Sequence, residues 1–161
     1  MELGLRVCIM EDQYQFLLHH QVMENQTDDQ VAVSMVRETK QRFSDLASCS
    51  FDKGFHSPEN QKELAELLDI VALPRKGKQS EKIKEIESSE DFLQAKKKHS
   101  AVDSAINGLD VHGLDRCPDR GLDGFKRYVA LSIVGRNLQR LGVILFTQEL
   151  RRLERAQKSK L

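Results

Sequence analysis

The chain has 161 residues, 39% hydrophobic and 31% charged, with 25 basic against 25 acidic side chains. That is one domain's worth of sequence, too apolar for full disorder; with 9 Gly and 3 Pro it falls outside the collagen-like and low-complexity classes. The neutral total hides an asymmetry: residues 1–70 carry 6 basic and 13 acidic side chains and residues 71–161 carry 19 and 12, which suits a cation in the first half and a polyanion in the second, or two halves that simply stay solvated.

Leu5–Met10 is a run of strand formers. Glu11-Asp12-Gln13 interrupts it, and Phe16–Met23 resumes an apolar run, so the pair predicts a β-hairpin with Asp12 at its tip. His19 and His20 are adjacent and point to opposite faces of a strand, so at most one is buried. Asp28-Asp29 offer an N-cap for a helix over about 30–43, with Ala32, Met35, Val36, Thr39 and Phe43 at helical spacing. Leu46–Phe51 is a short strand candidate, ended by the loop Asp52-Lys53-Gly54-Phe55-His56.

Ser57-Pro58-Glu59 starts the next helix: a capping hydroxyl, proline in the first turn, then an acid at the positive end of the dipole. Leu64, Leu67 and Leu68 form its apolar face. Ile70–Leu73 is a strand closed by Pro74, and Arg75-Lys76-Gly77-Lys78 is a basic turn. Residues 79–98 form a charged insertion anchored by Ile83, Ile86, Phe92 and Leu93. Ser100 caps a further helix to about Leu109, and Gly113, Pro118, Gly121 and Gly124 mark a loop over 110–124.

A long helix over about 125–156 ends the chain, with Leu131, Val134, Leu138, Leu141 and Leu145 in one stripe and Arg136 and Arg140 off it. Phe125 and Tyr128 are read as core. Gly135 and Gly142 each cost such a helix about 1 kcal/mol, so close packing is the expected reason for them. The order of elements is that of an α/β layered domain with a mixed sheet.

Three cysteines at wide spacing, Cys8, Cys49 and Cys117, give no zinc or redox motif, and Cys8 and Cys49 read as small core residues. Unbroken apolar runs stay as short as Val143–Phe146, and Met1–Arg6 lacks a signal-peptide layout. The expectation is a cytoplasmic chain with no bilayer span.

Asp52 follows the third predicted strand by one residue beyond Phe51, and Gly54 lets the backbone turn there. Ligands collect at the carboxyl ends of strands in open α/β sheets, and a carboxylate there is a hard oxygen ligand for Mg²⁺. The plain alternative is an Asp that ends a strand or caps a turn.

Residues 51–60, Phe-Asp-Lys-Gly-Phe-His-Ser-Pro-Glu-Asn, resemble the second-aspartate motif of DDE transposases, particularly the ISNCY insertion-sequence group. Residues 1–13 are similar to the segment leading into that group's catalytic core, and 99–109 to the block carrying its third catalytic acid. Residues 112–119 and 124–131 extend the resemblance over nearly the whole chain.

The resemblance implies an RNase H-like mixed sheet over residues 1–109, followed by a loop and a C-terminal helical segment over 110–161. It also implies carboxylates that hold two Mg²⁺ or Mn²⁺ ions roughly 3.5–4 Å apart to cut and join DNA strands. Asp52 matches the second acid; Asp103 stands where the family has the third, a glutamate. Asp103 lies three residues after Ser100, where it equally completes a capping box. Asp110 and Asp115 are near but do not match. The family's first acid and its DNA-binding region lie upstream of the matched segment, so the resemblance implies a core truncated at its N-terminus.

In the RNase H-like fold the first strand is central. Its loss predicts two strand edges facing a gap, with marginal stability, self-association or collapse as the outcome. Lys53, Arg75, Lys76, Lys78, Arg136, Arg140 and the Lys96-Lys97-Lys98 run are the expected phosphate contacts, each cluster otherwise being a solvated face. The expected partners are the DNA of insertion-sequence ends and target, a second copy, or a full-length transposase. Three readings remain open: a transposase fragment inactive alone, a non-catalytic DNA-binding or transposase-pairing remnant, and a decaying gene piece. A metal-dependent nuclease of the same fold is the runner-up.

Overall fold

The hairpin forms as the alternation predicts: β1 (Arg6–Glu11) pairs antiparallel with β2 (Leu17–Met23). The computed structural model describes residues 5–75, 88–90, 92–94, 109 and 117–158. Asp12 holds the hairpin tip, its Oδ1 accepting from the backbone N–H of Tyr14 and of Phe16, both at 2.8 Å. Gln15 takes the left-handed conformation there, with φ 68°. Met10 faces His19 but Glu11 faces Leu17, so Leu18 is an extra residue on β2. This bulge reverses the side-chain alternation beyond it.

The two faces of the hairpin are covered by different helices. Cys8, Met10 and Met23 pack with Val31, Ala32, Met35 and Val36 of α1 (Asp28–Arg42). Leu17 and Val22 pack with Val129 and Ile133 of the C-terminal helix α3 (Gly121–Lys158). The α1 cap is Thr27, not Asp28 or Asp29: the Gln30 side chain accepts from the Thr27 N–H at 3.0 Å, and the two aspartates fill the first turn, where the helix dipole favours them. His19 is buried and lies 3.3 Å from Glu38, whereas His20 is half-buried. Thr39, fully buried on α1, satisfies its hydroxyl on the Met35 carbonyl at 2.7 Å.

β3 (Ser48–Ser50) and β4 (Ile70–Ala72) pair in parallel, joined by a 3-10 turn (Lys53–Phe55) and α2 (Pro58–Leu67). Ser57 caps α2 as expected, accepting from Asn60 N at 3.0 Å. Asn60 is buried and donates to the carbonyls of Asp29 and Phe55, tying α2 to the start of α1. Leu64 and Leu68 enter the core; Leu67 is half-buried. Truncating Leu64, which is fully buried, is expected to cost about 2–5 kcal/mol.

Several expectations change. The single mixed sheet is instead two two-stranded sheets, β1-β2 and β3-β4. Each is mixed into one α/β body by a core shared through α1, and no backbone ladder joins β1 to β3 among the described residues. α3 begins at Gly121, not near 125, because Gly121 takes φ 75° and Gly124 allows a close approach to Asp119. The stripe of Leu131, Val134, Leu138, Leu141 and Leu145 is exposed; the buried α3 side chains are Val129, Ser132 and Ile133. Phe125 and Tyr128 are half-buried, Phe125 against the second core. Phe92 is buried but Leu93 is exposed.

α3 also corrects the expectation about bilayer spans. An 18-residue stretch within it has mean hydropathy 1.3, long and apolar enough to cross a membrane by length and composition. Short apolar runs on either side of Arg136, Asn137, Gln139 and Arg140 add up where none is long. The expected helix from Ser100, with Asp103, and most of the 79–98 insertion lie outside the described residues.

Candidate functional site: a cleft between two strand edges

A cavity of about 940 Å³ lies between β1 and β3. Arg6–Glu11 form one wall, Ser48–Asp52 the other, and Ala32 and Met35 of α1 contribute apolar floor. β1 has β2 on its other side and β3 has β4, so the cleft separates the two sheets.

Asp52 stands at one end of the cleft, immediately beyond buried Phe51, and is exposed. Its Oδ1 accepts from Lys53 N at 2.7 Å and so caps the 3-10 turn. The turn runs against the start of α1: a Cβ on Gly54 would stand 2.5 Å from Asp28 Oδ2. Asp28 Oδ1 in turn meets Arg6 at 3.4 Å, while Arg6 also donates to the Gln26 carbonyl at 3.0 Å. The beginning of β1 and the end of β3 therefore meet at the same end of the cleft through Asp28.

The donors for a divalent cation are incomplete among the described residues. No group of three or more His, Cys, Asp or Glu side chains is placed to hold a metal ion. Asp52 offers a carboxylate, Asp28 is shared with Arg6, and Asp103 lies outside the described residues. Among the described residues the side chains do not make a Mg²⁺ or Mn²⁺ site.

The basic residues fall into separate places. Lys53 is exposed beside Asp52. Arg75 is exposed beyond β4, with Nε 3.3 Å from Gln61 Oε1 of α2. Lys76 and Lys78 lie outside the described residues. Arg136 and Arg140 are half-buried against the hairpin tip: Arg140 Nε donates to the Tyr14 carbonyl at 2.8 Å, and the Arg136 charge faces Glu11.

Glu11 is the group that residue patterns do not flag. Both its carboxylate oxygens are buried without a hydrogen-bond partner. Burial pushes its carboxyl above the ordinary range; Arg136 opposes this, Asp12 adds to it and Arg140 opposes it. Its position at the bulge, facing α3, depends on the Leu18 insertion and was not readable from composition. Cys8 and Cys49, also on the cleft walls, are held as thiols, burial pushing them up to about 11 and about 12.

No protein-family model, curated protein or solved structure matches the chain.

Proposed function

We propose that the chain is part of the catalytic core of a DDE transposase of the ISNCY group, and that alone it holds DNA, or pairs with a complete transposase, without cutting strands. One observation carries the reading: Asp52 is exposed at the C-terminal end of β3, at the mouth of a cleft bordered by two strand edges. Such strand ends are where open α/β sheets take ligands. One strand laid in the cleft would join β2-β1 and β3-β4 into a single RNase H-like mixed sheet beside Asp52.

Exposed Lys53 and Arg75, with Lys76 and Lys78 following, supply the phosphate contacts in this reading. Arg136 and Arg140 contribute less, being engaged at the hairpin tip. Cytoplasmic placement fits α3 better than a bilayer does, because Arg136 and Arg140 lie within its apolar stretch. An Arg at the centre of a membrane helix costs about 2.5–3.5 kcal/mol.

The test is plasmid DNA in Mg²⁺ or Mn²⁺. The expected result is DNA binding that weakens with salt, by about 0.9 in log-log slope per phosphate contacted, and no nicking above a metal-only control. Lys53→Ala with Arg75→Ala should reduce that slope by about 2. Metal-dependent nicking that disappears in Asp52→Ala would make the chain a competent enzyme; neither binding nor nicking overturns the reading.

A further inference from the structure

β1 and β3 each have one partner strand, and their other edges face one another across the cleft with no strand between them among the described residues. On β3 the Ala47 carbonyl accepts from Asp69 and Ile70, and Phe51 N donates to the Ala72 carbonyl. These residues turn their backbone to β4, so Ser48, next to Ala47 in the alternation, turns its own to the cleft. Such an edge is a template for another chain. Arg6 at the start of β1 and Gly54 just beyond β3 both lie against Asp28, so the two edges run in opposite directions. One strand between them pairs parallel with one edge and antiparallel with the other.

The lining sets what that strand must carry. Ala32 and Met35 form an apolar floor, which favours apolar side chains at every second position. Among the described lining residues five are acidic and one, Arg6, is basic, and Asp28 already pairs with Arg6. The aspartates lie at the two ends: Asp28 and Asp52 beside the start of β1, Asp12 and Asp45 beside its end.

We propose that the cleft takes up an extended segment of a partner protein that is apolar at alternate positions and carries Lys or Arg at both ends. Its length is that of β1, six residues, or about 20 Å. In strand addition the backbone hydrogen bonds to an open edge supply affinity and the side-chain contacts supply selectivity, while opposite charges fix the register. The inference rests on the reading above for the strand's place in the cleft and adds the strand's chemistry.

Fluorescence anisotropy tests it with a labelled peptide of alternating valine and threonine that has two lysines at each end. Saturable binding is expected, with slowed hydrogen exchange at the amides of β1 and β3. N-methylation of alternate peptide amides removes donors along one edge and keeps the side chains, so binding should weaken at least about tenfold. Asp45→Lys with Asp52→Asn, both at exposed positions, should do the same in a chain whose circular dichroism is unchanged. The proposal is overturned by no saturation at about 1 mM peptide, or by equal binding of the N-methylated peptide or of one with glutamates for the lysines. Spermine displacing the peptide at equal concentration would give the cleft to a free polycation, and a wild type that sediments as a dimer and excludes the peptide would give it to a second copy; either overturns the proposal. Plasmid binding is measured separately: a chain that binds the peptide but not DNA keeps the strand site and loses the transposase reading, and the converse result loses only the strand site.

Discussion

The side chain of Asn137 pairs with the backbone of Leu17 as a neighbouring strand would: Oδ1 accepts from Leu17 N at 2.9 Å, and Nδ2 donates to Leu17 O at 3.0 Å. Through this pair α3 satisfies the backbone at the start of β2, where Leu17 is buried. Asn137→Ala removes both bonds and leaves two polar groups unmatched, an expected loss of about 2 kcal/mol. At this chain length that lowers Tm by about 4–8 °C. Thermal unfolding followed by circular dichroism measures it, and an unchanged Tm would show that water replaces the amide without loss.

Gly54 and Asp28 are coupled across the end of the cleft. Gly54→Ala puts a methyl group where Asp28 Oδ2 now stands, so Asp28 must turn from Arg6 or the 3-10 turn must shift. The expected cost is about 1–2 kcal/mol. In an Asp28→Ala background the same substitution should cost far less, because the obstructing carboxylate is gone. A double-mutant cycle by urea unfolding reads the coupling; simple additivity would mean that the turn backbone, not Asp28, resists the methyl group.

Stability should depend on pH with two opposing contributions. His19 and His20 are both held below their ordinary 6.5, by burial first; Glu38 pulls His19 upward, Arg42 pushes it down, and His20 feels the His19 and Arg42 charges. The unfolded chain therefore binds protons first as pH falls through about 6.5, and stability declines from neutrality towards acid. Glu11 acts in the other direction: with its folded pKa raised, the folded chain binds the proton first, and stability is lost as pH rises through that value. Glu11→Gln should accordingly be more stable than wild type at pH 7, by less than about 1 kcal/mol since the group is only partly withdrawn from water. The difference should vanish towards pH 4. Urea midpoints for both proteins across this range check the two signs.

Thiol chemistry should single out Cys117. Cys8 and Cys49 stay protonated at neutral pH, whereas Cys117 is half-buried outside both cores, with Sγ 3.6 Å from the Asp119 carbonyl. Iodoacetamide at pH 8 should label one site quickly and the other two only on unfolding. Peptide mass spectrometry identifies the site; equal labelling of Cys8 would mean that the cleft opens in solution.

Local signals read well from sequence where the physics is local. Ser57-Pro58-Glu59 starts α2, and Asp12 makes the hairpin tip with its own side chain, because caps and turns depend on residues within a few positions. The exposed place of Asp52 after β3 was legible for the same reason. The α3 stripe was legible as a period but not as a face: Leu131, Val134 and Leu138 recur at helical spacing, and so do Val129, Ser132 and Ile133, yet only the latter are buried. Which face is buried depends on where the hairpin comes to lie, a long-range fact. The tie from Arg140 to Tyr14 was hidden similarly, since 126 positions separate them.

The extra residue at Leu18 has a consequence for how β2 tolerates change in length. Deleting Leu18 would remove the bulge while keeping Glu11 opposite Leu17, so Leu17 would stay on the α3 side beside Val129. One lost codon here would therefore leave the hairpin's attachment to α3 in place, whereas one residue added elsewhere in β2 would carry the residues beyond it to the opposite face.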